Sequence, residues 1–270
     1  MEKMNFVLVR YSEIGLKGNN RSYFEKLLIK NIKNCLDKNK IKYSGIFRYS
    51  GRIIIHVEDK CLCLKNVFGI SSFSPAIKVE PNLDKIKETA LSLYKKGTFR
   101  ISAKRLNKKF KFTSEELNKS LGEFIIKHKQ VRVNLVRPDS NIGLEIMDDV
   151  YLFNERYECL GGLPVNSEGL VTLILENKND LLAGILMLKR GCSLEVINKN
   201  NLDFSILEQY SYGCKINLVN SPSSYSLAVV KTDELENTKS KLNGKIILNP
   251  LITNEKSLFE NIIKEKKINL

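Results

Sequence analysis

Leu170-Val171-Thr172-Leu173-Ile174-Leu175 runs into Glu176-Asn177-Lys178-Asn179-Asp180, then into Leu181-Leu182-Ala183-Gly184-Ile185-Leu186-Met187-Leu188 and, three residues on, Gly191. The first run reads as a continuous apolar strand. The third is apolar enough to be a buried helix, with Gly191 placed as a glycine just past a helix end. A strand with no polar alternation is one covered on both faces, which is the habit of parallel sheets flanked by helices. Later β-like runs at Lys215 to Val219, Leu227 to Val230 and Lys245 to Leu248 alternate with other segments. Residues 170–270 are therefore expected to form an α/β domain with a parallel sheet.

Working back from this stretch, Gly161-Gly162-Leu163-Pro164 punctuates the chain and sets a linker over 159–169. Upstream the patterning changes. Phe6 to Tyr11 reads as a strand, and Phe24, Leu27, Leu28, Ile32, Cys35 and Leu36 recur at helical spacing. Tyr43 to Tyr49 and Arg52 to Val57 flank Ser50-Gly51 as a hairpin, and Leu62, Leu64, Val67 and Phe68 suggest a second short helix. The order β-α-β-β-α predicts a small ferredoxin-like α+β domain over 1–72. A second α+β unit, 73–158, carries a helix over Leu83 to Tyr94, a strand over Phe99 to Ala103, and a helix opened by the capping box Thr113 and Glu116. Val131 to Val136, Ile142 to Met147 and Val150 to Phe153 then read as strands.

The 270 residues include 44 Lys plus Arg against 30 Asp plus Glu, a formal net charge of +14. A polyanionic partner fits that balance, but so does a Lys-rich, AT-rich coding bias that leaves most lysines as solvated surface. The start of the chain lacks the layout of a secretory signal, and no apolar run is long enough to cross a bilayer, so a cytoplasmic location and no membrane partner are expected. Six cysteines stand at 35, 61, 63, 159, 192 and 214, without paired C-x-x-C spacings, and His56 and His128 are the only histidines. No metal site is expected, and the thiols read as small apolar side chains.

Two basic clusters carry functional weight. Arg10-Tyr11-Ser12-Glu13-Ile14-Gly15-Leu16-Lys17-Gly18-Asn19-Asn20-Arg21 is a loop whose glycines allow close backbone approach, while Lys17 and Arg21 supply charge. Arg100, Lys104 and Arg105, continued by Lys108, Lys109, Phe110 and Lys111, gather cations at a strand end with aromatic residues among them. Such a cluster suits phosphate contacts that weaken steeply with salt.

These segments resemble a known family. R-Y-S-E-I-G-L-K-G-N-N-R at 10–21 is similar to the R-Y-G-E-I-x-L-K-G-x-N-R signature of the tRNA 4-thiouridine synthetases. The likeness continues in order through F-G-I-S-S-F-S-P (68–75), F-R-I-S-A-K-R (99–105), F-K-F-T-S (110–114), R-P-D (137–139) and G-G-L-P-V-N-S-E-G (161–169). The resemblance implies a ferredoxin-like domain over 1–72, a THUMP RNA-binding domain over 73–158 that grips the 3′ end of tRNA, and a PP-loop domain over 170–270.

The third domain departs from that pattern. The family's strand is followed by S-G-G-x-D-S, which cradles the pyrophosphate of ATP at a helix N-terminus, and its next helix ends in M-K-R-G. Met187-Leu188-Lys189-Arg190-Gly191 sets the register, so the loop falls on Leu175 and Glu176, Asn177, Lys178, Asn179 and Asp180. Both glycines and both serines are missing. A carboxylate about 4 Å from a phosphate charge, at an effective dielectric near 20, opposes binding by about 4 kcal/mol. Lys178 offsets part of that, but no side-chain charge restores glycine's close approach to an anion.

Thiolation in the family also needs a nucleophilic cysteine. Cys214, beside Lys215, is the nearer imitation; Cys192 sits just past a helix end, where the dipole disfavours a thiolate. The domain also looks shortened, although Leu227 to Leu235 and Asn249 to Ile252 resemble family stretches. The resemblance thus implies a tRNA-binding homologue with no ATP cofactor and no adenylation of its own, working with a separate catalytic PP-loop or sulfur-carrier protein, with a homodimer left open. The alternative is an active ATP-dependent tRNA uracil 4-sulfurtransferase with a divergent site.

Overall fold

The computed structural model describes residues 4–49, 51–232 and 245–252. Ser50 of the expected hairpin, Asp233 to Leu235 of the family-like stretch, and residues 253–270 of the expected third domain lie outside them. The chain divides into two compact units: Met1–Arg10, Lys40–Leu62 and Ser72–Glu158 form one, and Tyr11–Asn39, Cys63–Ser71 and Cys159–Leu270 form the other.

The first unit is built on one mixed sheet. Strands β1 (Phe6–Arg10), β2 (Tyr43–Tyr49), β3 (Arg52–Val57), β4 (Ser72–Val79), β5 (Phe99–Arg105), β6 (Ser140–Ile146) and β7 (Val150–Phe153) run in the order β2-β3-β1-β4-β7-β6-β5, and a short β8 (Tyr157–Glu158) pairs with β4. Strand β4 is shared along its length. Ser72–Ala76 pair antiparallel with β1 and Ile77–Val79 with β7, so the ferredoxin-like and THUMP regions contribute to one sheet.

Of the helices, α1 (Arg21–Lys38) groups with the second unit, while α2 (Leu83–Leu93) and α3 (Ser114–Lys129) belong to the first and pack on its β5–β7 half. The apolar stripe of α3, Leu117, Leu121 and Ile125, packs with Ile86 and Ala90 of α2 onto Phe99, Ile142 and Leu144. Each Leu, Ile or Phe side chain among them, fully buried, contributes roughly 1.5–3 kcal/mol. The capping box at Thr113 and Glu116 forms as the sequence indicates, and Asn82 caps α2 by accepting from the Asp84 and Lys85 amides.

Within this unit a buried carboxylate takes two guanidinium groups. Glu145 on β6 accepts from Arg10 Nε at 2.6 Å and from Arg52 Nε at 2.5 Å, and Arg10 also donates to Ser74 Oγ at 3.0 Å. Burial pushes the Glu145 carboxyl up, but Arg10 and Arg52 outweigh it and hold it below the usual range. Burial is also the largest influence on Arg10, lowering it; a guanidinium nonetheless stays charged, so the pairing is the direction that matters.

Two expected elements take other forms. The expected second short helix is a 3-10 helix over Leu62–Asn66, not an α-helix. Val131 to Val136 is not a strand: a single bridge joins Val133 to Phe99, and Asn134 Oδ1 accepts from the Val136 and Arg137 amides, a side-chain turn that breaks the extended run. Val133, Leu135 and Val136 are exposed there.

The second unit holds an all-parallel sheet of order β11-β10-β9-β12-β13, with β9 (Leu170–Leu175), β10 (Ser193–Asn198), β11 (Asn217–Leu218), β12 (Ala228–Val230) and β13 (Ile246–Leu248). Helix α4 (Lys178–Lys189) follows β9, and a short α5 (Ser205–Glu208) follows β10. Leu181 to Leu188 is buried throughout, as an apolar sequence without a polar face requires. The core joins α4 to Leu173, Val196, Leu207 and Phe68, whose ring stacks on Tyr210 at 5.6 Å. No described helix is long and apolar enough to cross a membrane.

Candidate functional site

The turn from β9 into α4 leaves the first amide groups of the helix in need of acceptors. The chain supplies them itself. Asp180 Oδ2 accepts from the amides of Glu176 at 2.9 Å and Asn177 at 2.8 Å, and the Asn177 side chain accepts from the Asn179 amide at 2.8 Å. This is a capping box, with Asn177 as the cap and Asp180 three residues on. Thr232 Oγ1 donates to the second oxygen, Asp180 Oδ1, at 2.5 Å, and Asp180 is only 1% exposed.

Glu176 is held beside the same turn. Lys199 Nζ pairs with it at 2.6 Å and Lys231 Nζ at 3.5 Å, and the Lys199 bond is the main reason its carboxyl lies below the usual range. Asn200 Nδ2 donates to the Glu176 carbonyl at 2.8 Å. An anion at this helix N-terminus would have to displace an internal carboxylate and approach another. The donor set is therefore a poor fit for the pyrophosphate of ATP.

The basic run at the end of β5, on the edge of its sheet, divides by partner. Arg100 donates to Asn141 Oδ1 at 3.3 Å and to the Leu135 carbonyl at 2.9 Å, and Arg105 reaches the carbonyls of Phe110 and Phe112 at 3.3 and 3.4 Å. Both arginines thus hold loops in place. Lys104, Lys108, Lys109 and Lys111 are exposed and make no ion pair among the described residues, although Lys111 lies 5.6 Å from the Phe112 ring. Arg132, not picked out from the sequence, belongs to this edge as well, because the Phe99 amide donates to the Arg132 carbonyl and the Asn134 amide donates back to the Phe99 carbonyl. The strand-like composition of 131–136 conceals it.

The loop at 10–21 forms two 3-10 turns, Glu13–Leu16 and Gly18–Asn20. Gly15 and Gly18 face open space, and Gly18 has φ +51. The cations beside them are engaged. Lys17 pairs with Glu168 at 3.3 Å and lies 4.5 Å from the Phe24 ring, and Arg21 donates to Glu25 and to Tyr11 Oη at 2.8 Å each. Tyr11 in turn donates to Glu25.

Both candidate thiols are shifted upward. Burial pushes Cys192 up to about 11, with Glu168 adding to the shift. Cys214 is raised too, burial outweighing its hydrogen bonds and Lys38. Among the described residues no group of His, Cys, Asp and Glu is arranged to hold a metal ion.

A mixed α/β sheet in one unit and an all-parallel α/β sheet in the other define the class of architecture. Residues 6–74 match the ThiI ferredoxin-like domain and residues 80–153 the THUMP domain. A probable tRNA sulfurtransferase of Thermococcus kodakarensis is 33% identical over 239 residues, 80% of this chain and 63% of that protein. Among solved structures, PH1313 from Pyrococcus horikoshii superposes with a TM-score of 0.85 at 31% identity, covering 98% of this chain and 100% of that one. A 4-thiouridine synthetase, crystallised as an RNA complex with bound ATP, gives 0.75 at 26% identity, covering 96% and 84%. The chain belongs to the tRNA 4-thiouridine synthetase, or tRNA sulfurtransferase, family, and it spans less than two thirds of the length of the curated sulfurtransferase above.

Proposed function

We propose that this chain binds tRNA, through its THUMP region and the lysines at the end of β5, and leaves ATP-dependent adenylation to another protein. The binding half is supported by the THUMP match and by Lys104, Lys108, Lys109 and Lys111, which are exposed and without ion pairs among the described residues. The non-catalytic half is carried by one observation: Asp180 occupies the amides that an anion at the head of α4 would need. A cytoplasmic location and a catalytic PP-loop or sulfur-carrier partner complete the reading.

Binding of labelled tRNA, intact or trimmed of its 3′ tail, is measured as salt is raised, and ATP retention by equilibrium dialysis. Four lysine–phosphate contacts would weaken binding about a hundredfold between roughly 50 and 200 mM salt. Loss of affinity on trimming, with no ATP retained at millimolar concentration, supports the proposal. A flat salt response, indifference to the tail, or saturable ATP binding overturns the corresponding part.

A further inference from the structure

A second basic feature lies wholly within the unit that contains α1 and the parallel sheet. Lys30, Asn34 and Lys38 are spaced four residues apart and so share one face of α1. The segment 211–216 brings Cys214 and Lys215, and with Glu208 these residues line a cavity of about 490 Å³. Lys30, Lys38 and Lys215 are exposed and make no ion pair among the described residues, so three cations face one carboxylate.

The cavity walls are fixed by close packing between α1 and the 211–216 segment. Gly213 has φ +107, and a Cβ there would overlap Asn31 Oδ1, so the segment sits directly on α1 where only glycine fits. Asn31, fully buried, donates to the Val165 carbonyl at 3.1 Å and keeps an unpartnered Oδ1 beside that glycine. Lys38 lies 5.6 Å from the Tyr212 ring, and Asn39 Nδ2 covers the Cys35 carbonyl at 2.8 Å, which reduces the negative end of the helix dipole at this end. A site whose walls are already in place loses little ordering entropy when a ligand enters.

We infer that this cavity is a phosphate-binding site that takes the backbone of the bound RNA, apart from the lysines at the end of β5. The inference rests on the tRNA-binding reading above. Phosphate is the chemistry indicated by three ammonium groups without ion-pair partners around an amide. The lining contains no aromatic ring among the described residues, hence no platform on which a base would stack, which favours a sugar–phosphate backbone over a free nucleotide.

The test compares the full chain with Lys30→Ala/Lys215→Ala and with Lys215→Glu alone, by tRNA affinity across a salt series and by titration with inorganic pyrophosphate. The substituted side chains are exposed, and unchanged thermal melting confirms the fold. The double variant is expected to bind tRNA about tenfold or more weakly, with the slope of log K against log salt reduced by about 1.4–1.8 in magnitude, and Lys215→Glu alone is expected to weaken binding relative to the unsubstituted chain. Unchanged affinity and slope in both variants overturns the inference while leaving tRNA binding intact. Loss of sub-millimolar pyrophosphate binding with tRNA affinity unchanged also overturns it, and assigns the cavity to a small phosphorylated ligand. If the unsubstituted chain binds no tRNA, the functional proposal itself fails and the backbone site with it.

Discussion

Asp180, the third residue of helix α4, accepts from the Asn177 amide at 2.8 Å and receives a bond from Thr232, which lies 52 residues further along the chain. One carboxylate thereby closes the head of a helix and ties it to the segment after β12. The arrangement sits where the S-G-G-x-D-S pattern would leave open amides for a nucleotide.

Replacing Asp180 with Ala removes the cap and leaves the Glu176 and Asn177 amides and the Thr232 hydroxyl without their acceptor. The expected loss is about 1–3 kcal/mol of stability, read from urea unfolding at neutral pH. ATP binding is not expected to return, because Glu176 and the missing glycines remain. Saturable ATP binding by the variant would show that Asp180 alone blocks the turn.

Substituting Lys104 and Lys108 with Ala should weaken every tRNA alike and lower the magnitude of the salt slope by about 1 for each lysine replaced, without changing the melting temperature. Arg105→Ala is expected to behave differently. Its guanidinium holds the carbonyls of Phe110 and Phe112, so protease cleavage in the 106–112 loop should rise along with any loss of affinity. Identical behaviour of the lysine and arginine variants would contradict this division of roles.

Glu145 sets an acid limb in stability. Its carboxyl is held below the ordinary value by Arg10 and Arg52 despite burial, so the folded state favours the charged form more than the unfolded chain does. That contribution is fully present above the unfolded carboxylate value, near 4.3, and is lost as pH falls through the lower folded value. Glu145→Gln should cost about 3–5 kcal/mol at pH 7, because two buried guanidinium groups lose their partner. Its deficit relative to the native chain should shrink below about pH 4; a deficit constant with pH would refute this.

Alkylation reports on the cysteines. With Cys192 pushed up to about 11, only about one molecule in a thousand carries its thiolate at pH 8. Iodoacetamide labelling of Cys192 and Cys214, followed by peptide mass spectrometry, should be much slower in the folded chain than in urea. Rapid labelling of Cys214 under native conditions would restore it as a reactive thiol.

Much of this was legible in the residues themselves. The apolar strand at 170–175, the helix after it, the Thr113 capping box and the ordered family motifs are patterns among near neighbours, and the fold honours each of them. The loss of glycine from 176–180 was equally plain. The run 131–136 misled because its β-like composition concealed the Asn134 turn, and with it the position of Arg132 beside the edge of β5.

What the sequence determined by itself was the class of fold and the absence of a glycine cradle, because propensity, periodicity and backbone freedom are local. Tertiary structure decided which charges are engaged. Arg10 reaches Glu145 across 135 residues, Lys17 reaches Glu168 across 151, and Thr232 reaches Asp180 across 52. An ion pair or hydrogen bond depends on distance in space, and only the packed sheets bring such residues within about 3 Å of one another.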